Sequence, residues 1–194
     1  MKSGYTAVIG RANAGKSTLV NVLVGEKIAI VSPKPQTTRD RILGVLTEKE
    51  AQIAFVDTPG IYKSANALSD MMMRTAETSA KDVDLIMYVH DGHKGISDED
   101  VALMKKYKSF GIPMIVAYTK TDIMPEENIP ADVKRLFDEG IDCDVCPVSA
   151  RKGKNIAKLK QLILDNLPEG EMLFPEDIAV SYTHLRAHET SQDL

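Results

Sequence analysis

Short apolar runs of strand length alternate along this chain with longer stretches whose apolar residues recur every three or four positions. The first run, Thr6-Ala7-Val8-Ile9, ends at a glycine, and Ser17-Thr18-Leu19-Val20-Asn21-Val22-Leu23 can then open a helix that Gly25 stops. The apolar Ile28–Val31 leads into a polar, turn-rich loop, Ser32-Pro33-Lys34-Pro35-Gln36-Thr37-Thr38-Arg39. Ile42 to Leu46 and Ala51 to Val56, joined by Thr47-Glu48-Lys49-Glu50, have the form of a hairpin. Ala65 to Lys81 has helical composition, with Met71, Met72, Met73, Ala76 and Ala80 available to face a sheet. Asp84 to Val89 and Pro113 to Tyr118 are near-continuous apolar strands, as a parallel sheet buried on both faces requires.

Between those two strands, Ser97-Asp98-Glu99-Asp100 resembles a capping box that opens a helix through about Lys108, with Val101, Met104 and Tyr107 or Lys108 along one side. A weaker helix is expected over Ala131 to Glu139, a last strand over Val145 to Val148 and a last helix over Asn155 to Leu167. In that helix Ile156, Leu159, Leu162, Ile163 and Leu167 keep a helical period before Pro168 and Gly170 end it. Six strands and five helices, alternating after one hairpin, predict an α/β fold. Its sheet should be mostly parallel with helices on both faces, and ligands should bind at the strands' carboxyl ends.

Composition narrows the function classes. With 43% hydrophobic and 27% charged residues the chain is that of a globular protein, and a net charge of −4 argues against nucleic-acid binding through a broad basic surface. No apolar run reaches membrane-spanning length, and Met1-Lys2-Ser3-Gly4 runs straight into the first strand, so we expect no signal peptide and a cytoplasmic location. The two cysteines, Cys143 and Cys146, form a C-x-x-C. His184 and His188 are the tempting further zinc ligands, but they lie far outside zinc-finger spacing. Two small packed thiols is the simpler reading.

The chemistry begins at Gly10-Arg11-Ala12-Asn13-Ala14-Gly15-Lys16-Ser17, which fits G-x-x-x-x-G-K-[ST] in the required setting, a strand before and a helix after. Backbone N–H groups of such a loop curl around a phosphate chain and the helix N-terminus adds partial positive charge. Asn13, Ala14, Gly15, Lys16, Ser17 and Thr18 are the expected nucleotide-binding residues here. Lys16 can bridge the terminal phosphates, and the Ser17 hydroxyl can ligate Mg²⁺. Asp57, at a strand end, can hold Mg²⁺ through water, and Gly60 can offer its N–H to a γ-phosphate. Thr38 can add a second hydroxyl to Mg²⁺ only while that phosphate is present, which is a switch.

After the fifth strand comes Thr119-Lys120-Thr121-Asp122. The Asp122 carboxylate can accept both N1–H and the exocyclic N2–H₂ of guanine, which adenine cannot match, and the Lys120 stem can pack over the base. Ser149-Ala150-Arg151 can aim a backbone N–H at the guanine O6. With no obvious general base, hydrolysis would rest on Lys16, Thr38 and Gly60 through positioning and charge neutralisation.

These five elements, in this order, resemble the guanine-nucleotide-binding domain of the translation-factor-related GTPases. Beyond them, Met1-Lys2-Ser3-Gly4, Gly25-Glu26-Lys27-Ile28-Ala29-Ile30-Val31-Ser32, Pro35-Gln36-Thr37-Thr38-Arg39, Asp57-Thr58-Pro59-Gly60-Ile61 and Phe174-Pro175-Glu176-Asp177 are similar to the Era-type GTPases of bacterial ribosome assembly. The resemblance implies a P-loop NTPase G domain over residues 1–168, the start of an inter-domain linker over 169–178, and GTP or GDP with Mg²⁺ as ligands. It further implies the small ribosomal subunit and its 16S rRNA as partners of the full-length family, and peripheral membrane association, for which no basic amphipathic helix speaks here. Era-type proteins continue into an RNA-binding KH domain. Nothing after Ile178 supplies the GXXG loop of such a domain, so weak or absent RNA binding is expected of this chain. Residues 179–194 resemble no part of the family and are expected to be disordered or an appended artefact.

Three residues depart from related patterns or qualify them. Thr119 stands where the base-reading motif usually has Asn, and it can make one hydrogen bond to the P-loop rather than several. Ile61 stands where Ras-like proteins carry a water-orienting Gln, so intrinsic hydrolysis should be slow. Asn13 matches a residue that in related GTPases helps bind K⁺, with a lysine or arginine in trans as the alternative source of charge. A guanine-nucleotide-binding module with negligible turnover therefore stands beside the GTPase reading, and a P-loop kinase or ATPase is disfavoured by Asp57-Thr58-Pro59-Gly60 together with Lys120 and Asp122.

Overall fold

The apolar run that precedes Gly10 lies in the middle of a six-stranded sheet. The computed structural model describes residues 1–25, 41–57, 83–123 and 128–174. The expectations for Ile28–Val31, the loop with Thr38, Gly60 and Ile61, the helix over 65–81, His184, His188 and the 179–194 tail fall outside those residues. In chain order the described elements are β1 (Lys2–Ile9), α1 (Lys16–Val24), β2 (Arg41–Glu48), β3 (Ala51–Asp57), β4 (Leu85–Asp91), α2 (Asp98–Lys108), β5 (Met114–Thr119), α3 (Ile129–Asp138), β6 (Asp144–Pro147) and α4 (Ile156–Asn166).

The strands are ordered β2-β3-β1-β4-β5-β6. β1 runs parallel to β3, from Lys2 opposite Ala51 to Val8 opposite Asp57, and parallel to β4, from Thr6 opposite Leu85. β4, β5 and β6 continue the parallel set, while β2 pairs antiparallel with β3 as the hairpin pattern requires. The mostly parallel α/β sheet is thus as expected.

Every residue of β5 is buried, and β3 and β4 are buried up to their last residues, because helices cover both faces. Alternate positions divide between the two layers. Phe55, Met87 and Ile115 pack with Leu19 and Leu23 of α1 and Leu159 and Ile163 of α4. Val56, Tyr88 and Val116 pack with Val101, Met104 and Tyr107 of α2 and Leu136 of α3. The Ser97 capping box forms as the sequence indicates: its hydroxyl accepts from Asp100 N–H, and Asp100 accepts from Ser97 N–H.

Two boundaries differ from expectation for physical reasons. β1 begins four residues earlier than its apolar run, because Ser3 and Gly4 are buried although not apolar. Gly4 lies beneath Asp84, whose Oδ2 accepts the Tyr5 N–H at 2.8 Å, and a Cβ on Gly4 would stand 2.6 Å from that oxygen. α3 begins at Ile129 rather than Ala131, since Pro130 needs no N–H partner in a first turn.

The residues after α4 turn back onto the sheet. Ser3 N–H donates to Pro168 O, Gly170 N–H to Met1 O and the Ser3 hydroxyl to Glu171 O. Gln52, fully buried in β3, then uses both ends of its amide. Its Oε1 accepts from Leu173 N–H at 2.7 Å and Phe174 N–H at 2.8 Å, and its Nε2 donates to Phe174 O and Thr47 Oγ1. Residues 169–174, read from sequence as a linker, are bonded to β1 and β3.

Candidate functional site

β1, β3, β4, β5 and β6 run parallel, so their carboxyl ends lie along one edge of the sheet; the loop after β1 leaves from there. Gly10 begins that loop. A Cβ there would lie 2.3 Å from the Val89 carbonyl oxygen of β4, so this close entry is open to glycine alone. The loop then passes through Asn13 (φ 64°) and Gly15 (φ 95°), both left-handed, and Gly15 caps α1. Lys16 begins that helix and curls back, its Nζ donating to Gly10 O at 2.8 Å and Arg11 O at 3.0 Å. Burial pulls the Lys16 ammonium below the usual lysine value, and the Asp57 carboxylate opposes that shift. The end of β3 and the start of α1 thus share one electrostatic neighbourhood, with Ser17 and Thr18 exposed beside them. Arg11 points the other way and ion-pairs with Glu99 at the start of α2.

Thr119, at the end of β5, is 3% exposed and reaches the P-loop directly. Its hydroxyl lies 2.6 Å from Ala14 O and 3.1 Å from His90 O. One hydroxyl carries one proton, so it serves the shorter contact and leans on the longer. Thr119 therefore makes a single side-chain tie to the P-loop. A Thr119→Val variant keeps the shape but leaves buried carbonyl oxygen without that donor, and is expected to cost about 1–3 kcal/mol of unfolding free energy in urea titrations. Thr119→Ser should restore most of the loss. Equal stability of the Val variant and the parent would show that the hydroxyl is not holding the loop.

Lys120 is left-handed (φ 63°) and spans two loops, donating from Nζ to Asn13 O at 2.9 Å and to Asp91 Oδ2 at 2.7 Å. Asp122 Oδ1 accepts the Ser149 hydroxyl at 2.8 Å, and that bond foremost holds the Asp122 carboxyl below the usual carboxylate range, so it is an acceptor at neutral pH. Ser149 Oγ in turn accepts from Lys152 N–H. The Ser149 N–H donates to Lys154 O, so the N–H groups of Ala150 and Arg151 are the ones left to consider for a base oxygen.

The fold thus brings Asn13 to Thr18, Asp57, Thr119, Lys120, Asp122 and Ser149 to Arg151 to one edge, while Thr38 and Gly60 lie outside the described residues. The sequence reading passed over Asp91 and the side chain of Ser149. Asp91 ends a buried strand as Asp57 does, and that placement was the available signal. Both cysteines are free thiols. Burial pushes Cys143 up to about 11 and raises Cys146 as well, so each stays protonated, and Cys146 is packed in the layer with Leu159. No helix among the described residues is long and apolar enough to cross a membrane.

Known proteins match this arrangement. The model of the family described as 50S ribosome-binding GTPase matches residues 5–120. GTPase Era of Clostridioides difficile (strain 630) is 44% identical over 176 residues, which are 90% of this chain and 59% of that protein. GTPase Era of Halothermothrix orenii is 42% identical over 177 residues, 91% and 60% of the two chains. Among solved structures, an Aquifex aeolicus Era variant bound to GDP·AlF4− superposes with a TM-score of 0.73 at 40% identity, covering 91% of this chain and 61% of that one. Era in complex with MgGDPNP and nucleotides 1506–1542 of 16S ribosomal RNA gives a TM-score of 0.74, with the same identity and coverage. This chain spans about 60% of the length of these relatives. It has the P-loop GTPase G-domain fold and belongs to the 50S ribosome-binding GTPase family.

Proposed function

We propose that the chain binds GTP with Mg²⁺ and hydrolyses it to GDP and phosphate, acting as a switch in assembly of the small ribosomal subunit when it is part of a longer Era-type protein. The observation that carries this reading is the meeting of three devices at one edge: Lys16 over the P-loop, Thr119 and Lys120 bonded to that loop, and Asp122 held ionised by Ser149. The first recognises phosphate, and the last recognises an N–H pair such as the guanine edge offers.

The P-loop N–H groups and Lys16 bind the phosphate chain. Asp57 and the Ser17 hydroxyl are the groups assigned to a divalent cation: the Asp57 carboxylate acts on Lys16, and Ser17, the next residue of the helix start, is exposed. Bound there, Mg²⁺ would neutralise charge on the terminal phosphates. Thr38 and Gly60 are assigned the γ-phosphate-sensing roles of the switch. The Lys120 bond takes the Asn13 backbone carbonyl, so the Asn13 side chain is the part that a K⁺ ion would use. Ala150 or Arg151 supplies the N–H for the guanine O6. Binding of 16S rRNA belongs in this reading to the longer proteins, one of which is solved with nucleotides 1506–1542.

A titration of the chain with fluorescent GDP and ADP in Mg²⁺ buffer, once with K⁺ and once with Na⁺, tests the proposal. Saturable GDP binding without ADP binding is the expected result, followed by slow phosphate release from GTP that is faster in K⁺. Equal binding of both nucleotides would remove the guanine assignment. GDP binding with no phosphate release would favour the binding module without turnover.

A further inference from the structure

Lys120 carries a full charge next to a phosphate-binding loop, yet a side chain meant to cover a base should not be drawn to phosphate. Asp91 resolves that conflict. It is the last residue of β4, opposite Thr119 in the parallel register, and the following Gly92 N–H donates to Thr119 O at 3.1 Å. Both of its carboxylate oxygens are engaged: Oδ2 accepts from Lys120 Nζ at 2.7 Å and Oδ1 from the His93 N–H at 3.1 Å. The Asp91 side chain is 16% exposed and that of Lys120 36%, so the pair is shielded on the carboxylate side and open on the lysine side.

We propose that Asp91 is a positioning residue of the base site, which neutralises Lys120 and fixes its ammonium against the P-loop so that the four-carbon stem forms one wall for the base. This rests on the guanine-nucleotide reading. A lysine side chain on a flexible stem has much rotamer freedom to lose, and an anchor that removes it beforehand spares the nucleotide that cost. Here the ammonium has two anchors on different loops, Asp91 after β4 and Asn13 in the P-loop. The backbones of Lys120 and Asn13 are both held left-handed, which few side-chain-bearing residues adopt, so the bridge is set by the fold rather than found by chance. Burial acts to raise the Asp91 carboxyl, but the Lys120 and His93 hydrogen bonds outweigh it and hold the group below the usual range, so the anchor is charged at neutral pH. The two lysines divide the ligand: Lys16 is left to the phosphates and Lys120 to the base.

Dissociation of fluorescent GDP from the parent chain, Asp91→Ala, Asp91→Asn, Lys120→Met and the Asp91→Ala/Lys120→Met double variant tests this, with melting temperatures measured alongside. The Ala variant is expected to release GDP about tenfold faster, and Asn, which keeps an acceptor oxygen, about threefold faster. In the Lys120→Met background Asp91→Ala should add nothing, because the residue acts through the lysine. The ratio of GTP to GDP affinity should stay constant across the set, since the base site is common to both nucleotides. Unchanged dissociation in the Ala variant, or the same tenfold effect without the lysine, overturns the inference while leaving the guanine reading intact. Should Asp91→Ala fail to fold, the nearly isosteric Asn variant decides, and an unchanged rate there overturns the inference equally. A parent chain that binds ADP as well as GDP overturns the guanine reading, and the inference with it.

Discussion

Asp122→Asn is expected to weaken GDP binding by about 10²- to 10⁴-fold and to raise the affinity for xanthosine diphosphate by a similar factor. The Ser149 hydroxyl foremost holds the carboxylate as an acceptor, and in the proposed site it would face a base whose N1–H and N2–H₂ are both donors. An Asn oxygen keeps one of those bonds, and it can still accept from Ser149, so the loop keeps its geometry. The Asn NH₂ group, however, meets the guanine amino group donor to donor. Xanthine carries a carbonyl oxygen at that position, which turns the repulsion into a hydrogen bond while its N1–H still reaches the Asn oxygen. Competition of GDP, xanthosine diphosphate and ADP against fluorescent GDP on the parent, and against the fluorescent xanthine nucleotide on the variant, reads the exchange. An unchanged preference for GDP would show that Asp122 does not face the base. Loss of all three nucleotides with an unchanged melting temperature would show that it acts on the site without reading the N–H pair.

How much of this could be read from sequence depended on whether a residue acts through its neighbours in the chain. β4 and β5 were plain from composition, because strands covered on both faces carry near-continuous apolar runs, with polar residues only at their last positions. The phosphate loop was plain because its residues all lie within one turn. Asp100 was half legible. Its spacing from Ser97 gives the capping box, but the same buried carboxylate also accepts the Tyr88 hydroxyl at 2.6 Å from β4, a contact between helix and sheet that no local pattern encodes. Asp91 and the clamp of Gln52 on residues 173–174 are of that second kind, since their partners lie 29 and more than 100 residues away. Local rules also misplaced the start of β1, where burial of Ser3 and Gly4 under Asp84 and the returning chain overrides their weak strand preference.

The same limit governs the most damaging single substitution expected for the stability of the fold. Any loop of the G-x-x-x-x-G-K-[ST] form needs a first glycine, and the usual argument is conformational. Gly10 is different, because its φ is not among the left-handed ones and the demand is purely spatial. A Cβ at Gly10 would sit 2.3 Å from Val89 O and 3.2 Å from both Val89 C and Val89 Cβ. Val89 is 1% exposed and paired in the middle of β4 with Ala117 of β5, so the carbonyl cannot retreat without disturbing two strand pairings. Gly10→Ala is therefore expected to cost about 3 kcal/mol or more, at the upper end of overpacking penalties. With a urea slope of about 2 kcal/mol/M, the midpoint should fall by about 1.5 M with little change in slope. Gly111→Ala provides the contrast. Its φ is 73° and a Cβ there meets nothing within 4 Å, so only left-handed strain of about 1–2 kcal/mol opposes it. A Gly10 variant no less stable than the Gly111 variant would mean that β1 and β4 can part at this point, and the phosphate loop would then owe its position to Lys16 and Thr119 instead of to the sheet beneath it.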